Sequence, residues 1–308
     1  MSERVLTRRT FLKLGLAAAG LSASGLLYAT EIEPAWLDVT HVDIFISGLP
    51  ASFSGYRIAH VSDLHYDGGH YMPLQRIEQV VQWVNAQKPD LIVHTGDFVS
   101  EPHTLAYLAA RYRGERPGFM HSPNAEAVFG PCIAAVDQMY ARDGALAVLG
   151  NHDHWVDADV ARQHLARSSI RLIENSHVVI QRQGARLVIA GVDDLWTGEQ
   201  LPERAFAGAP PPQQAPRILL CHNPDYAVDA AVPGHGVQLM LSGHTHGGQV
   251  TIPGLGAPIL PIEHKEFARG LVSTSWGQVY VSRGIGVITP PVRFLTRPEI
   301  AILRLLRA

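Results

Sequence analysis

Four polar clusters and one separate histidine in this sequence combine residue types and spacings that suit divalent metal ions. In the first cluster, Asp63 and His65 stand two residues apart, so in an extended segment both side chains point to the same side. In the second, Gly96 precedes Asp97 and permits a sharp turn that leaves the carboxylate free. Such an aspartate can bridge two cations, with one oxygen on each.

The remaining clusters supply an amide oxygen and further imidazoles. Asn151 offers the amide oxygen, whereas the adjacent His152 need not bind metal. His244 and His246 repeat the two-residue spacing, and His222 adds another imidazole. Mixed imidazole, carboxylate and amide ligands suit Mn, Fe, Zn, Co or Ni better than Ca. The set is too large for one tetrahedral zinc and is about right for two ions that share an aspartate and a water.

A pair of divalent ions indicates a particular chemistry. Two ions about 3.5–4 Å apart clamp an in-line displacement at phosphorus, and they lower the pKa of a bound water toward neutrality. The attacking hydroxide then needs no dedicated protein base. The ligand inventory therefore predicts hydrolysis of a charged ester by metal-bound hydroxide.

Apolar segments with strand character precede these clusters, and helical segments alternate with them. Ligands bind outside the carboxyl ends of the strands in open α/β sheets, so side chains that are distant in sequence meet at one sheet edge. The predicted helices are Pro73–Ala86, Ile133–Tyr140 and Ala158–Ala166. The predicted strands are Val39–Ile46, Tyr56–Val61, Leu91–Thr95, Ala145–Leu149, Val178–Gln181, Arg186–Ala190, Arg217–Cys221, Val237–Leu241, Val279–Ser282 and Ile300–Leu305.

Composition limits the class of protein. The chain has 308 residues, of which 46% are hydrophobic and 17% charged, as expected for one large packed α/β domain. Its net charge of −3 shows no basic excess, so no nucleic-acid partner is expected. The two cysteines, Cys132 and Cys221, are too few for a disulfide framework.

The amino terminus resembles a twin-arginine export signal. Arg8-Arg9 is followed by Phe11-Leu12-Lys13 and by an apolar run from Leu14 to Ala29. That run is shorter than the roughly 20 residues of a membrane span, so cleavage and retention as an anchor both stay open. We therefore assign residues 1–30 to a leader, 31–55 to an entry segment and 56–308 to a phosphoesterase domain. Residues 103–131 are expected to form an insertion that caps the site.

The motif order resembles the calcineurin-like metallophosphoesterase family. Asp-x-His, Gly-Asp, Gly-Asn-His-Asp, a separate His and Gly-His-x-His follow one another between Ile58 and Gly247. The resemblance implies an α/β fold with four α/β/β/α layers, in which two central mixed sheets are flanked by helices. It also implies two metal sites, the first held by Asp63, His65, Asp97 and His246, and the second by Asp97, Asn151, His222 and His244.

The same resemblance assigns roles beyond the ligands. His152 is expected near the leaving-group oxygen as a proton donor or transition-state stabiliser, with Asp153 orienting it. The position of Arg283 in a Gly-rich turn after a strand indicates that it either pins a phosphate through paired hydrogen bonds or forms a salt bridge or cap. The expected cofactors are two divalent ions, of which Mn, Fe and Zn are the main candidates.

A narrower resemblance points to the exported phosphodiesterase branch of this family. It rests on the leader and on the segments 222–225, 243–249, 282–284 and 297–300. It implies a phosphodiester substrate, passage through the twin-arginine export machinery, a periplasmic or cell-envelope location and association with the membrane. The alternatives are a phosphomonoesterase, a pyrophosphate hydrolase acting on a nucleotide-linked lipid precursor, and a non-catalytic metal-binding envelope protein.

Overall fold

The computed structural model describes residues 24–69, 71–100 and 125–308 of the chain. Within those ranges, none of the helices has the length and apolar character needed to cross a membrane. The Arg8-Arg9 pair and residues 103–124 of the expected insertion lie outside the described residues. The leader and the capping role of the insertion therefore stay predictions.

The first of two sheets contains six strands in the order β1-β12-β2-β3-β4-β5. These strands are β1 Asp38–Ile46, β2 Arg57–Val61, β3 Leu91–His94, β4 Ala145–Ala147, β5 Ile170–Leu172 and β12 Glu299–Arg307. Strands β2 to β5 run parallel, whereas β12 pairs antiparallel with β2 and parallel with β1. The carboxyl ends of β2, β3 and β4 therefore lie next to one another.

The second sheet also has six strands and follows the order β10-β11-β9-β8-β7-β6. Its members are β6 Ser176–Arg182, β7 Ala185–Gly191, β8 Arg217–Leu220, β9 Leu239–Ser242, β10 Gly270–Ser273 and β11 Gln278–Val281. Strands β7, β8, β9 and β11 run parallel, and β6 and β10 close the two ends antiparallel. Both sheets are mixed, as expected.

Alternate residues of the central strands enter different cores. In β2, Ile58 packs into the core between the two sheets, whereas Ala59 and Val61 face the helices. In β9, Leu239 packs between the sheets and Met240 faces outward. Successive strand side chains point to opposite faces, and a strand that is buried on both faces reads as a continuous apolar run. This burial explains why the sequence marks these strands clearly.

Helices complete the outer layers of the predicted α/β/β/α arrangement. The first sheet is covered by α1 Leu74–Ala86, α2 Ala125–Val136 and α3 Asn151–Leu165. The second is covered by shorter helices, α4 Pro202–Ala205 and α5 Ala231–Gly234, and by loops. The apolar face expected of α1 is buried, at Ile77, Val80, Val81 and Val84.

Several elements differ from the sequence prediction. Helix α2 spans Ala125–Val136, whereas the predicted helix ran from Ile133 to Tyr140. Burial of Val128, Phe129 and Cys132 favours α2 although Pro131 lies inside it. Helix α3 begins at Asn151 rather than at Ala158. Strands β5 and β10 were not predicted, because they have only three and four residues and Ile170 is the one buried residue in the two strands.

Candidate metal centre

Loops from both sheets meet at one end of the sandwich. After β2 and β3, the backbone N–H of Asp63 donates to Gly96 O at 3.0 Å. After β8 and β9, the N–H of Gly243 donates to His222 O, also at 3.0 Å. The N–H of His244 donates to Asp63 Oδ1 at 3.0 Å and so joins the two sheets. The strand ends thus bring together side chains that are far apart in sequence.

The first ligand group gathers around His65. Its Nε2 lies 2.9 Å from His246 Nε2, 3.4 Å from Asp97 Oδ2 and 3.8 Å from Asp63 Oδ1. His246 Nε2 is in turn 3.4 Å from Asp63 Oδ1. All four residues are buried. These donors match the first metal site that the resemblance implied.

The second ligand group gathers around His222. Its Nε2 lies 3.1 Å from Asp97 Oδ2 and 3.3 Å from His244 Nδ1. His244 Nδ1 is 2.8 Å from Asn151 Oδ1. Asp97 Oδ2 therefore faces both groups, as a carboxylate shared by two ions should.

The backbone holds five of these residues in an unusual conformation. Positive φ angles occur at Asp63 (55°), His65 (50°), Asp97 (56°), His244 (69°) and His246 (50°). A left-handed conformation costs a non-glycine residue free energy, and such outliers cluster at functional sites. The strain is concentrated at the residues whose side chains converge.

The outer hydrogen bonds of the imidazoles fit metal ligation. His222 Nδ1 donates to Thr95 O at 2.6 Å, which leaves Nε2 directed toward Asp97. His244 Nε2 donates to Pro261 O at 3.0 Å and leaves Nδ1 on the inner side. A ligating histidine normally donates its other N–H to a carbonyl or carboxylate, which fixes the tautomer. The residues present therefore fit two divalent cations.

Comparison with known proteins agrees with this geometry. The model of the calcineurin-like phosphoesterases matches residues 56–248. The chain belongs to that family. It is therefore a metal-dependent phosphoric ester hydrolase, and the family's dinuclear centre corresponds to the clustered side chains described above.

Full-length relatives support the assignment. An uncharacterized metallophosphoesterase of Bacillus subtilis, YkuE, is 32% identical over 97% of this chain and 98% of its own length. Phosphodiesterase YaeI of Escherichia coli is 31% identical over 98% of this chain and all of its own length. The UDP-2,3-diacylglucosamine pyrophosphatase LpxG of Chlamydia trachomatis is 27% identical over 91% of this chain and 92% of its own length.

The electrostatics of this phosphoesterase favour positive charge at the metal centre. Burial opposes ionisation of Asp97, yet the nearby imidazole of His222 holds the pKa of its carboxyl well below the usual value. Burial likewise disfavours the charged ring of His222, yet the Asp97 carboxylate raises its pKa to about 10. The buried carboxylate thus favours positive charge beside it, which bound cations would supply.

His152 lies beside the ligands in the first turn of α3. Its backbone N–H donates to Asp97 Oδ1 at 2.9 Å, and its ring packs edge-on against His65 with centroids 4.7 Å apart. The ring also contacts Trp155, at 4.6 Å. Desolvation lowers the pKa of His152 to about 3, so its ring is neutral at pH 7. Unlike the buried ligands, His152 is partly accessible, as a residue that meets substrate must be.

Asp153 supports the backbone of the centre. Its Oδ2 accepts from the N–H groups of Asp97 and Gly150 at 2.8 and 3.0 Å, and its Oδ1 accepts from Val99 N–H at 3.2 Å. These bonds fix the Gly-Asp loop and the start of α3. Asp153 was expected to orient the His152 ring, but its carboxylate bonds to these backbone groups and not to that ring.

Arg283 is engaged by carboxylates. Its Nη2 lies 3.1 Å from both Asp38 Oδ2 and Glu299 Oε1, and its backbone N–H also donates to Glu299. This arrangement corresponds to the salt-bridge alternative. The phosphate-binding role of Arg283 stays a prediction that these contacts do not support.

Several further residues neighbour the centre. His154, which directly follows the Gly-Asn-His-Asp motif, pairs through Nε2 with Asp193 Oδ1 at 2.8 Å, and the Trp196 ring stands edge-on to His244 at 4.4 Å. The buried guanidinium of Arg293 lies 3.4 Å from His246 Nδ1 and donates to surrounding carbonyls. Asp193, Trp196 and Arg293 belong to no motif, and they come from distant loops. The sequence carried no signal for these three residues.

Proposed function

We propose that this phosphoesterase hydrolyses phosphodiesters at a two-metal centre. The observation that carries the proposal is the position of Asp97, whose Oδ2 lies 3.4 Å from His65 Nε2 and 3.1 Å from His222 Nε2. One ion would be held by Asp63, His65, Asp97 and His246, and the other by Asp97, Asn151, His222 and His244. Two bound divalent ions supply Lewis acidity toward phosphoryl oxygens and lower the pKa of water.

The protein's own groups position the substrate and assist departure of the leaving group. The first turn of α3 lies beside the ligands, and the positive end of its dipole favours an anionic phosphate there. His152 stands at this helix end with an accessible ring, so its N–H can hydrogen-bond to the leaving oxygen as the phosphorus–oxygen bond breaks. A bound phosphate anion raises the pKa of that ring and favours its protonated form.

Similarity over the whole chain supports a diester as the substrate, because YaeI, 31% identical, carries the name phosphodiesterase. A pyrophosphate linkage on a nucleotide-linked lipid is the second candidate. It is favoured by the 27% identity to the UDP-2,3-diacylglucosamine pyrophosphatase. Mn, Fe and Zn are the proposed metals, since imidazole, carboxylate and amide ligands suit them.

We also propose that the protein is exported by the twin-arginine route to the periplasmic or cell-envelope side. Support comes from Arg8-Arg9 and the apolar run that follows. The test is cell fractionation of the full chain beside a variant that carries Arg8→Lys and Arg9→Lys. Export of the parent with cytoplasmic retention of the variant is expected, and equal export of both would contradict this route.

The test of the diester assignment is a comparison of bis-p-nitrophenyl phosphate with p-nitrophenyl phosphate. The full chain is stripped with chelator and reloaded with Mn, Fe or Zn, and Asp97→Asn is assayed in parallel. We expect metal-dependent turnover that is faster for the diester and falls at least a hundredfold in Asp97→Asn. Faster turnover of the monoester would overturn the diester assignment while leaving the hydrolase intact.

A further inference from the structure

Exposed apolar side chains gather along one border of the metal centre. The loop 250–262 contains no charged residue, and at its tip Leu255 is 81% exposed and Ile259 78% exposed. Exposed leucines from two other segments adjoin it. We call the whole set the apolar rim: Leu26, Leu27, Ile252, Leu255, Ile259 and Leu295. Contiguous exposed apolar patches commonly mark interaction surfaces.

Phe294 joins the three segments of the rim. Its carbonyl accepts from Thr251 N–H at 2.8 Å, which ties the uncharged loop to the segment that carries Leu295. The ring of Tyr28 stands edge-on against the Phe294 ring at 6.2 Å. Arg293 N–H donates to Ala29 O at 2.9 Å. The segment that follows Leu26 and Leu27 therefore lies directly beside the loop.

The rim borders the metal centre itself. Pro261, at the end of the loop, accepts from His244 Nε2 at 3.0 Å. The loop also folds over Gly248, where an added methyl group would lie 3.3 Å from Leu260 Cδ2. Next to His244, a groove of about 530 Å³ opens between the loop and a neighbouring turn. Its walls are apolar at Leu195, Trp196, Val228, Pro261 and Ile262 and polar at Asp225, Glu263 and His264. The end of the loop thus lines the groove and also contacts His244 through Pro261.

We propose that the apolar rim inserts into the surface of a lipid bilayer and seats the metal centre on it. A bilayer is the partner that the chain itself indicates, because the uncharged run from Leu14 to Ala29 ends on the rim. Buried apolar area drives binding at the membrane interface. Arg269, exposed and donating to Thr251 Oγ1 and Leu295 O, stands within the rim as a cation for anionic headgroups.

The substrate class follows if the proposed function holds. A centre seated on lipid meets phosphate esters whose organic group is anchored in the bilayer. The groove beside Trp196 would receive the apolar part next to the phosphate. The substrate is therefore a lipid-borne phosphodiester, whereas seating on the membrane is independent of the reaction.

The first experiment places single probes on the full chain. Cys132 and Cys221 are buried, so a polarity-sensitive dye would label an introduced Leu255→Cys or Ile259→Cys selectively. Tyr140→Cys, at a position that is 74% exposed, is the matched control. On addition of phosphatidylglycerol–phosphatidylcholine vesicles, the rim probes should shift to the blue and the control should not.

Two results would overturn the seating. One is emission at Leu255 and Ile259 that vesicles leave unchanged, or that shifts equally at Tyr140. The other is a shift that needs no vesicles and grows with protein concentration, because it would assign the rim to a second copy of the chain. Unlike sedimentation with vesicles, this readout reports the rim locally and does not depend on binding by the leader.

The second experiment compares Leu255→Asp/Ile259→Asp with Tyr140→Asp on two esters. A fluorogenic phosphodiester embedded in vesicles should be hydrolysed at least tenfold more slowly by the rim variant, while bis-p-nitrophenyl phosphate in solution is hydrolysed at the parent rate. Equal rates on the vesicle ester would contradict the lipid-borne substrate. If the parent protein hydrolysed neither ester, the proposed diesterase activity would be rejected instead. The probe shifts would then still test whether the rim inserts into the bilayer.

Discussion

At the scale of single residues, the centre depends on where each donor atom points. Two imidazoles are held by backbone carbonyls, His222 by Thr95 and His244 by Pro261, so that their remaining nitrogens face the other ligands. His152 differs, because its ring contacts His65 without such a tether and stays partly accessible. The ligands and this histidine should therefore respond differently to substitution.

Replacing His152 should separate catalysis from metal binding. In His152→Ala we expect kcat to fall about 10²–10⁴-fold, because assistance at the leaving oxygen is lost. Metal content should stay at two ions per chain, measured by elemental analysis. His154→Ala is the matched control, since His154 is paired with Asp193 and should cost less than tenfold. Equal losses in the two variants would contradict the assigned role.

His60 should make the fold sensitive to acid. Burial lowers its pKa to about 4 from 6.5, so between these values the unfolded chain takes up a proton that the folded chain does not. Stability therefore falls as the pH drops from about 6.5 to 4. We expect His60→Gln to reduce the loss of unfolding free energy between pH 7 and pH 5 by about 2 kcal/mol.

Urea denaturation of both proteins at each pH, with saturating metal, is the measurement. The glutamine side chain can retain a hydrogen bond to Thr95 Oγ1, which His60 Nε2 contacts at 2.8 Å. An unchanged pH dependence in the variant would show that His60 is not held neutral in the fold.

At the scale of elements, the loops after the strands bring the ligands within reach of one another. Gly150 lies between β4 and the first residue of α3, and it packs closely against Asp97 and His222. An added methyl group there would meet Asp97 Oδ1 and would lie 2.7 Å from Asp97 N and 2.8 Å from His222 Cε1. The close packing of these loops leaves no room for any side chain at this position.

Gly150→Ala should therefore disrupt the centre without removing a ligand. We expect metal affinity and diester turnover each to fall more than tenfold, because Asp97 and His222 must shift. Gly234→Ala is the control, since a methyl group there meets nothing within 4 Å. Calorimetric metal titration and turnover assays measure both effects. Parent-like affinity in Gly150→Ala would show that the loops are looser than the structure indicates.

Much of this arrangement could be predicted from the sequence, because buried parallel strands read as apolar runs, and a predicted ligand follows each of β2, β3, β4, β8 and β9. The start of α3 could not, since Asn151 and His152 resemble a loop and the helix is interrupted at Asp157, where φ is 177° and ψ is 100°. The predicted helix from Ala158 corresponds to the part after that interruption. Contacts made by backbone carbonyls, such as Thr95 O, leave no mark in the sequence.

At the scale of the whole molecule, a buried carboxylate joins the two sheets near the centre. Glu299 on β12 accepts from Thr40 Oγ1 at 2.6 Å on β1 and from Tyr280 Oη at 2.9 Å on β11. It also pairs with Arg283 at 3.1 Å. Arg283, expected to bind phosphate, thus takes part in holding the sheets together.

Glu299→Ala should destabilise the fold by about 3–5 kcal/mol, because it leaves buried partners unpaired. Asp43→Ala is the control, since it removes one member of the exposed pair with Arg304 and should change stability little. Urea unfolding with saturating metal compares the three proteins. A loss in Glu299→Ala no larger than in the control would contradict a joining role.

The most direct test of the two-metal account is a titration of the metal-stripped full chain with Mn²⁺ in which bound ions and diester turnover are measured together. We predict two equivalents bound, with turnover rising as the second ion binds, and neither a second equivalent nor turnover in Asp97→Ala. Full turnover with a single bound ion, or in the presence of excess chelator, would contradict the shared position of Asp97 as the basis of activity.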